Sequence, residues 1–138
     1  MSRLLFALLA LSACSSGPRE EFSAPTLPQR AGTDPIVAAR AEGVELRARG
    51  EGFTLDIFRA DTIRLTLSDT GEVLIFPKPE PRLPRWNGSI FETATETHRL
   101  VIEIRDDRPC TSGDRANFPT GVNVSLSGRD FSGCGRRL

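Results

Sequence analysis

The side chains here that could do chemistry are few: three cysteines (Cys14, Cys110 and Cys134), a single histidine (His98), and Asp106, Asp107 and Asp114 in one polar stretch. A nucleophilic triad needs a serine or cysteine beside a histidine that a carboxylate orients. The sequence has no G-x-S-x-G elbow, and His98 opens an alternating run, where it reads as a partly exposed strand residue. A zinc site needs more ligands than one histidine and two distant cysteines provide, and there is no Cys-x-x-Cys pair. The aspartates lack the spacing of a calcium loop and read as turn formers that pair with Arg105, Arg108 or Arg115. The expectation is a protein that is not an enzyme and carries no metal and no cofactor.

Cys110 and Cys134 then read best as bonded to each other. Such a bond closes a loop of about 25 residues and lowers the entropy of the unfolded chain by roughly 3.5 kcal/mol on the loop-closure view. Between them lie a Phe118-Pro119 turn, a strand in which Val122, Val124 and Leu126 alternate with Asn123, Ser125 and Ser127, and a short strand ending at Cys134.

The elements that must position this segment lie upstream. Apolar residues recur at period two as Val44, Leu46 and Ala48; as Phe53, Leu55 and Ile57; as Ile63, Leu65 and Leu67; and as Val73 and Ile75. Turn residues such as Gly50, Gly52, Asp61, Asp69 and Gly71 separate these runs at hairpin spacing. Residues 77–88 (PKPEPRLPRWNG) break the pattern, because proline cannot donate to a sheet ladder, and read as a long crossing loop. Strands resume at residues 89–95 and 98–105, where Leu100, Ile102 and Ile104 alternate with Arg99, Val101, Glu103 and Arg105. The expected fold is all-β: a small antiparallel up-and-down barrel of about eight strands with one disulfide, the interior filled by side chains or holding one small ligand. Phe53, Phe91 and Phe131 decide between these, since bulky rings pointing inward leave no room for a ligand.

Within the crossing loop, Arg85 and Trp86 are the candidate partner-binding residues, because a tryptophan on a loop anchors partners well; the competing reading has the ring folding back to plug a barrel end. Arg129, Arg136 and Arg137 form a basic carboxyl-terminal edge, read first as a solvated edge that resists strand pairing. Lys and Arg number 18 against 18 Asp and Glu, so no basic excess exists to bind a phosphate backbone and nucleic acid is not an expected partner.

The amino terminus sets the compartment. Arg3 precedes an apolar run over residues 4–11, long enough for a signal segment and too short to span a bilayer. Leu11, Ser12, Ala13 and Cys14 resemble the bacterial lipobox. That resemblance implies cleavage before Cys14 and lipidation of its thiol, and two or three acyl chains hold a protein to a membrane essentially permanently. Ser15 stands where an aspartate would imply inner-membrane retention, so the expected location is the periplasmic face of the outer membrane. The domain reading is a signal peptide over 1–13, a lipidated cysteine and flexible tether with a short helix after Asp34-Pro35 over 14–42, and the barrel over 43–138.

Residues 48–53 (ARGEGF), Phe76-Pro77, His98-Arg99-Leu100, Cys110 through Phe118-Pro119, and Gly133-Cys134-Gly135 resemble, in that order, a family of small bacterial envelope lipoproteins. The likeness covers most of residues 44–135 and implies fold and location without an activity. The chain departs from it at residues 51–54 and 111–114, where the family has Glu-Pro-Phe-Trp and Asp-Gly-Met-Ser. At the level of fold the chain is also similar to lipid-anchored lysozyme inhibitors, which are small disulfide-bearing barrels. The function expected is therefore a lipid-anchored periplasmic binding module whose partner is a periplasmic protein or an envelope glycan. The alternative is a carrier of a small apolar ligand inside the barrel.

Overall fold

The structure, a computed structural model, describes residues 34–110 and 118–138. Cys14, the tether through residue 33 and the loop carrying Asp114 and Arg115 lie outside the described residues.

Asp34 accepts a hydrogen bond from the Ile36 N–H at 2.9 Å and Pro35 fills the first helical position, so helix α1 (Pro35–Ala41) begins where cap and proline direct it. Eight strands follow: β1 (Val44–Gly50), β2 (Phe53–Phe58), β3 (Thr62–Leu67), β4 (Val73–Pro77), β5 (Gly88–Ala94), β6 (Arg99–Arg105), β7 (Thr120–Leu126) and β8 (Arg129–Arg137). They form one antiparallel sheet in the order β4-β3-β2-β1-β8-β7-β6-β5, a nearly closed barrel. Two meanders, β1 to β4 and β5 to β8, are zipped together by the first and last strands.

That zipper is tight because β8 presents glycine to β1. Gly133 lies opposite Gly50 and Gly135 opposite Ala48. A Cβ on Gly133 would run into the backbone carbonyl of Arg49.

Alternation puts one face of every strand inside. Leu46, Ala48, Leu55, Ile57, Ile63, Leu65, Leu100, Ile102, Ile104, Val122 and Val124 form one buried apolar cluster with Phe53, Phe91 and Phe131. The rings of Phe53 and Phe131 pack at 5.6 Å between centroids. The three phenylalanines thus stand inside, where the sequence reading placed its decision.

One strand faces the other way from the reading. Val73 and Ile75 are each 53% exposed, whereas Leu74 packs against the core and Phe76 is fully buried. All four residues are apolar, so period two alone cannot choose a face. Pairing with β3 does: Leu74 lies opposite Leu65, and Phe76 opposite Ile63.

The barrel's unsealed line runs between β4 and β5. Thr93 Oγ1 donates to the Pro77 carbonyl at 2.7 Å, which ties the end of β4 to the far end of β5. The crossing loop folds back along the start of β5, where Arg82 and Ile90 exchange backbone hydrogen bonds at 2.8 and 2.9 Å. Among the described residues no comparable contact covers Val73 and Ile75, since β4 pairs with β3 alone.

Cys110 and Cys134 are bonded, with Cα atoms 5.6 Å apart. Cys134 lies opposite Gly121 and the exposed Arg49, on the outer side of the wall, yet is itself fully buried. The bond therefore staples the segment after β6 onto the outside of β8.

Candidate functional site

The crossing loop joins β4 to β5 over residues 78–87, and its prolines keep it off any ladder except at Arg82. Arg85 is exposed and Trp86 is half-buried. The indole lies against Gly88, which has φ +152° and no room for a side chain, and Arg105 holds its guanidinium 4.5 Å over the ring. Trp86 therefore packs on the wall beside the end of β6 and stands apart from the buried core cluster. Leu83, three residues earlier, is 77% exposed.

Arg105 ties this platform to the carboxylates around it. It bonds Asp107 at 3.3 Å and approaches Glu103 at 3.5 Å. The hydrogen bond from Arg105 holds the exposed Asp107 carboxyl below its ordinary value. Beside it a shallow cleft of about 290 Å³ runs past Arg108 to the disulfide, floored by Gly121, Asn123 and Ser132. A second depression shares Asn123 and Ser132 and extends to Glu103, Ser125 and Asp130. In it Ser132 Oγ donates to Asn123 Oδ1 at 3.0 Å, and both residues are exposed. The outer wall of β6, β7 and β8 is thus a polar surface with Trp86, capped by Arg105, at its margin.

Other sequence candidates resolve into structural ties. His98 sits in the β5–β6 turn with Nδ1 2.9 Å from Thr97 Oγ1. Asp106 accepts from Thr120 Oγ1 at 2.9 Å and from Arg137 at 2.8 Å, and so pins the end of β8 rather than pairing with Arg105 or Arg108. Arg129 reaches Asp69 at 3.0 Å and covers the Phe131 ring at 4.7 Å. Of the basic edge only Arg136 has no ion pair among the described residues. No cluster of histidine, cysteine and acidic side chains able to hold a metal occurs among the described residues.

A charged row escaped sequence reasoning. Arg47, Asp56 and Arg64 lie directly opposite one another on β1, β2 and β3, all facing outward. Arg47 bonds both carboxylate oxygens at 2.7 and 3.0 Å, and Arg64 bonds one at 2.7 Å. Arg47 also donates to the Pro35 carbonyl, and Arg64 reaches Glu42 at 3.2 Å, so the segment around α1 lies against this row. The available signal was one charged residue at mid-strand in each of three successive strands.

Comparison of the chain with models of protein families, with curated proteins and with solved structures finds no match.

Proposed function

We propose that this protein is a lipid-anchored binding module of the bacterial envelope, non-enzymatic, held at the periplasmic face of the outer membrane through Cys14. Its partner, a periplasmic protein or an envelope glycan, docks on the crossing loop and the adjoining polar wall. The observation that carries this reading is the placement of Trp86, half-buried under Arg105 at 4.5 Å and beside the exposed Arg85, at the margin of the cleft next to the disulfide. A rigid wall with an aromatic and arginine at its edge is the composition that concentrates binding energy at interfaces. The carrier reading would need open volume where Phe53, Phe91 and Phe131 are packed.

The test is capture of partners from periplasmic extract and from peptidoglycan by the purified chain and by Trp86→Ala, with mass spectrometry of what is retained. A lysozyme inhibition assay run in parallel examines the sharpest form of the reading. Retention by the wild-type chain that falls with Trp86→Ala supports it. A retained set identical in both proteins, or no retained species, overturns it.

A further inference from the structure

The uncovered stretch of β4 combines two features that are usually kept apart. In an antiparallel ladder, successive residues point their N–H and C=O groups to alternate sides. Lys78 donates its N–H to the Asp61 carbonyl and Leu67 donates to the Glu72 carbonyl, so the even-numbered residues of this strand serve β3. The Pro77 carbonyl instead accepts from Thr93 across the seam. Val73 and Ile75 therefore direct their backbone groups to the seam, where no strand among the described residues pairs with them, and the same two residues carry branched apolar side chains 53% exposed. Soluble proteins ordinarily blunt such an edge with charge, proline or a bulge. Here only Pro77, at one end, does so.

We propose that this edge is an interface between two copies of the chain, paired antiparallel through β4 about a two-fold axis with Leu74 opposite Leu74 of the second copy. A strand that fits must be apolar on both faces, to cover Val73 and Ile75 outside and the partly buried Leu74 inside. β4 itself has that pattern, and a two-fold contact is met by one self-complementary patch. Seam-facing residues must pair with seam-facing residues, which leaves a short menu of registers. Placing Ile75 opposite Ile75 would set Val73 against Pro77 and lose a donor. Placing Val73 opposite Val73 would set Ile75 against Gly71, a turn residue at φ +70°. With Leu74 at the centre, Val73 and Ile75 exchange both backbone hydrogen bonds and pack side by side, and Pro77 falls beyond the paired stretch.

Charge permits the approach. On the outer face Arg64, opposite Ile75, is already bonded to Asp56 and Glu42, and Thr66 opposite Val73 is neutral. The formal net charge of the chain is +0, so two copies do not repel.

The test uses the full-length chain in density-matched detergent. Sedimentation of the wild-type chain should show a concentration-dependent dimer, and Ile75→Lys should weaken it by at least about tenfold while leaving unchanged the melt taken at dilutions where both proteins are monomeric, because residue 75 is exposed. Directly opposed residues in a non-hydrogen-bonded pair lie roughly 4.5 Å apart, within disulfide reach. Mild oxidation of Leu74→Cys should then give a covalent dimer whose cross-linked peptide joins residue 74 to residue 74, above the background set by the wild-type chain, and Leu83→Cys should not. A wild-type chain that stays monomeric at its solubility limit overturns the proposal, as does a dimer indifferent to Ile75→Lys. Should Leu74→Cys fail to fold, the sedimentation pair alone decides.

Discussion

Asp56 and Arg47 face each other across β1 and β2, joined by two hydrogen bonds of 2.7 and 3.0 Å, although Asp56 points away from the barrel interior. Asp56 is 3% exposed because Arg47, Arg64 and the segment around α1 close over it. Burial alone would push its pKa up; hydrogen bonds from both arginines, and their charges, outweigh that and hold it below the ordinary value. The same bond raises the affinity of Arg47 for its proton.

A folded pKa below the unfolded one means that this contribution is fully present above the unfolded value, near 4, and is lost as pH falls through the folded value. Asp56→Asn should destabilise the protein at neutral pH by about 3 kcal/mol, the low end for breaking a buried pair, since Arg64 keeps some contact with water. Thermal melts from neutral pH into strong acid check this. The wild-type melting temperature should fall below about pH 4 more steeply than that of the variant. Asp69 and Asp107, held low by hydrogen bonds from Arg129 and Arg105, remain in both proteins and supply a shared slope. Parallel curves would contradict the assignment to Asp56.

Trp86→Ala should lower stability by about 1 kcal/mol, the worth of a cation–π contact at a partly exposed site, and not the 3 to 5 kcal/mol of a core truncation. A calorimetric scan distinguishes the two. Arg85→Ala, at an exposed position, should leave the scan unchanged while weakening capture of the partner.

Gly133→Ala should cost about 2 kcal/mol or more, because the added methyl meets backbone of β1 that cannot move without parting the zipper. Ser132→Ala, one residue earlier and exposed, serves as the near-neutral control in chemical denaturation. Equal midpoints for the two variants would show that β1 and β8 have slack.

Labelled palmitate is expected to enter the wild-type chain and not Cys14→Ser, whose precursor should keep its leader. Label retained by the variant would remove the anchor from the functional reading.

Much of the barrel was legible because strands with one buried face announce themselves by alternation. The runs through Leu46, Leu55, Leu65 and Ile102 all point inward as read, and Asp34-Pro35 capped a helix as read. β4 was misread at Val73 and Ile75 because V-L-I-F satisfies either face, and only its partner strand breaks the tie. Arg47, Asp56 and Arg64 were invisible as a unit for a related reason: their adjacency is a property of register, which hairpin lengths imply only loosely. Asp106 was expected to pair locally and instead bonds Arg137, a contact that required knowing where the chain's end would lie. Cys110 and Cys134 were legible because few alternatives existed for them.

The pairing of β1 with β8 bears on how the molecule is made. Each meander consists of neighbours in sequence, whereas the zipper joins residues near the start of the domain to residues at its end, Leu46 with Arg137 among them. Contacts of such separation are formed late, because the loop they close must be ordered first. A chain emerging amino terminus first therefore carries β1 with one unpaired edge until β8 appears. A chain that lacked β8 would have no closure and would leave that edge open, so β8 governs the solubility of the strands before it.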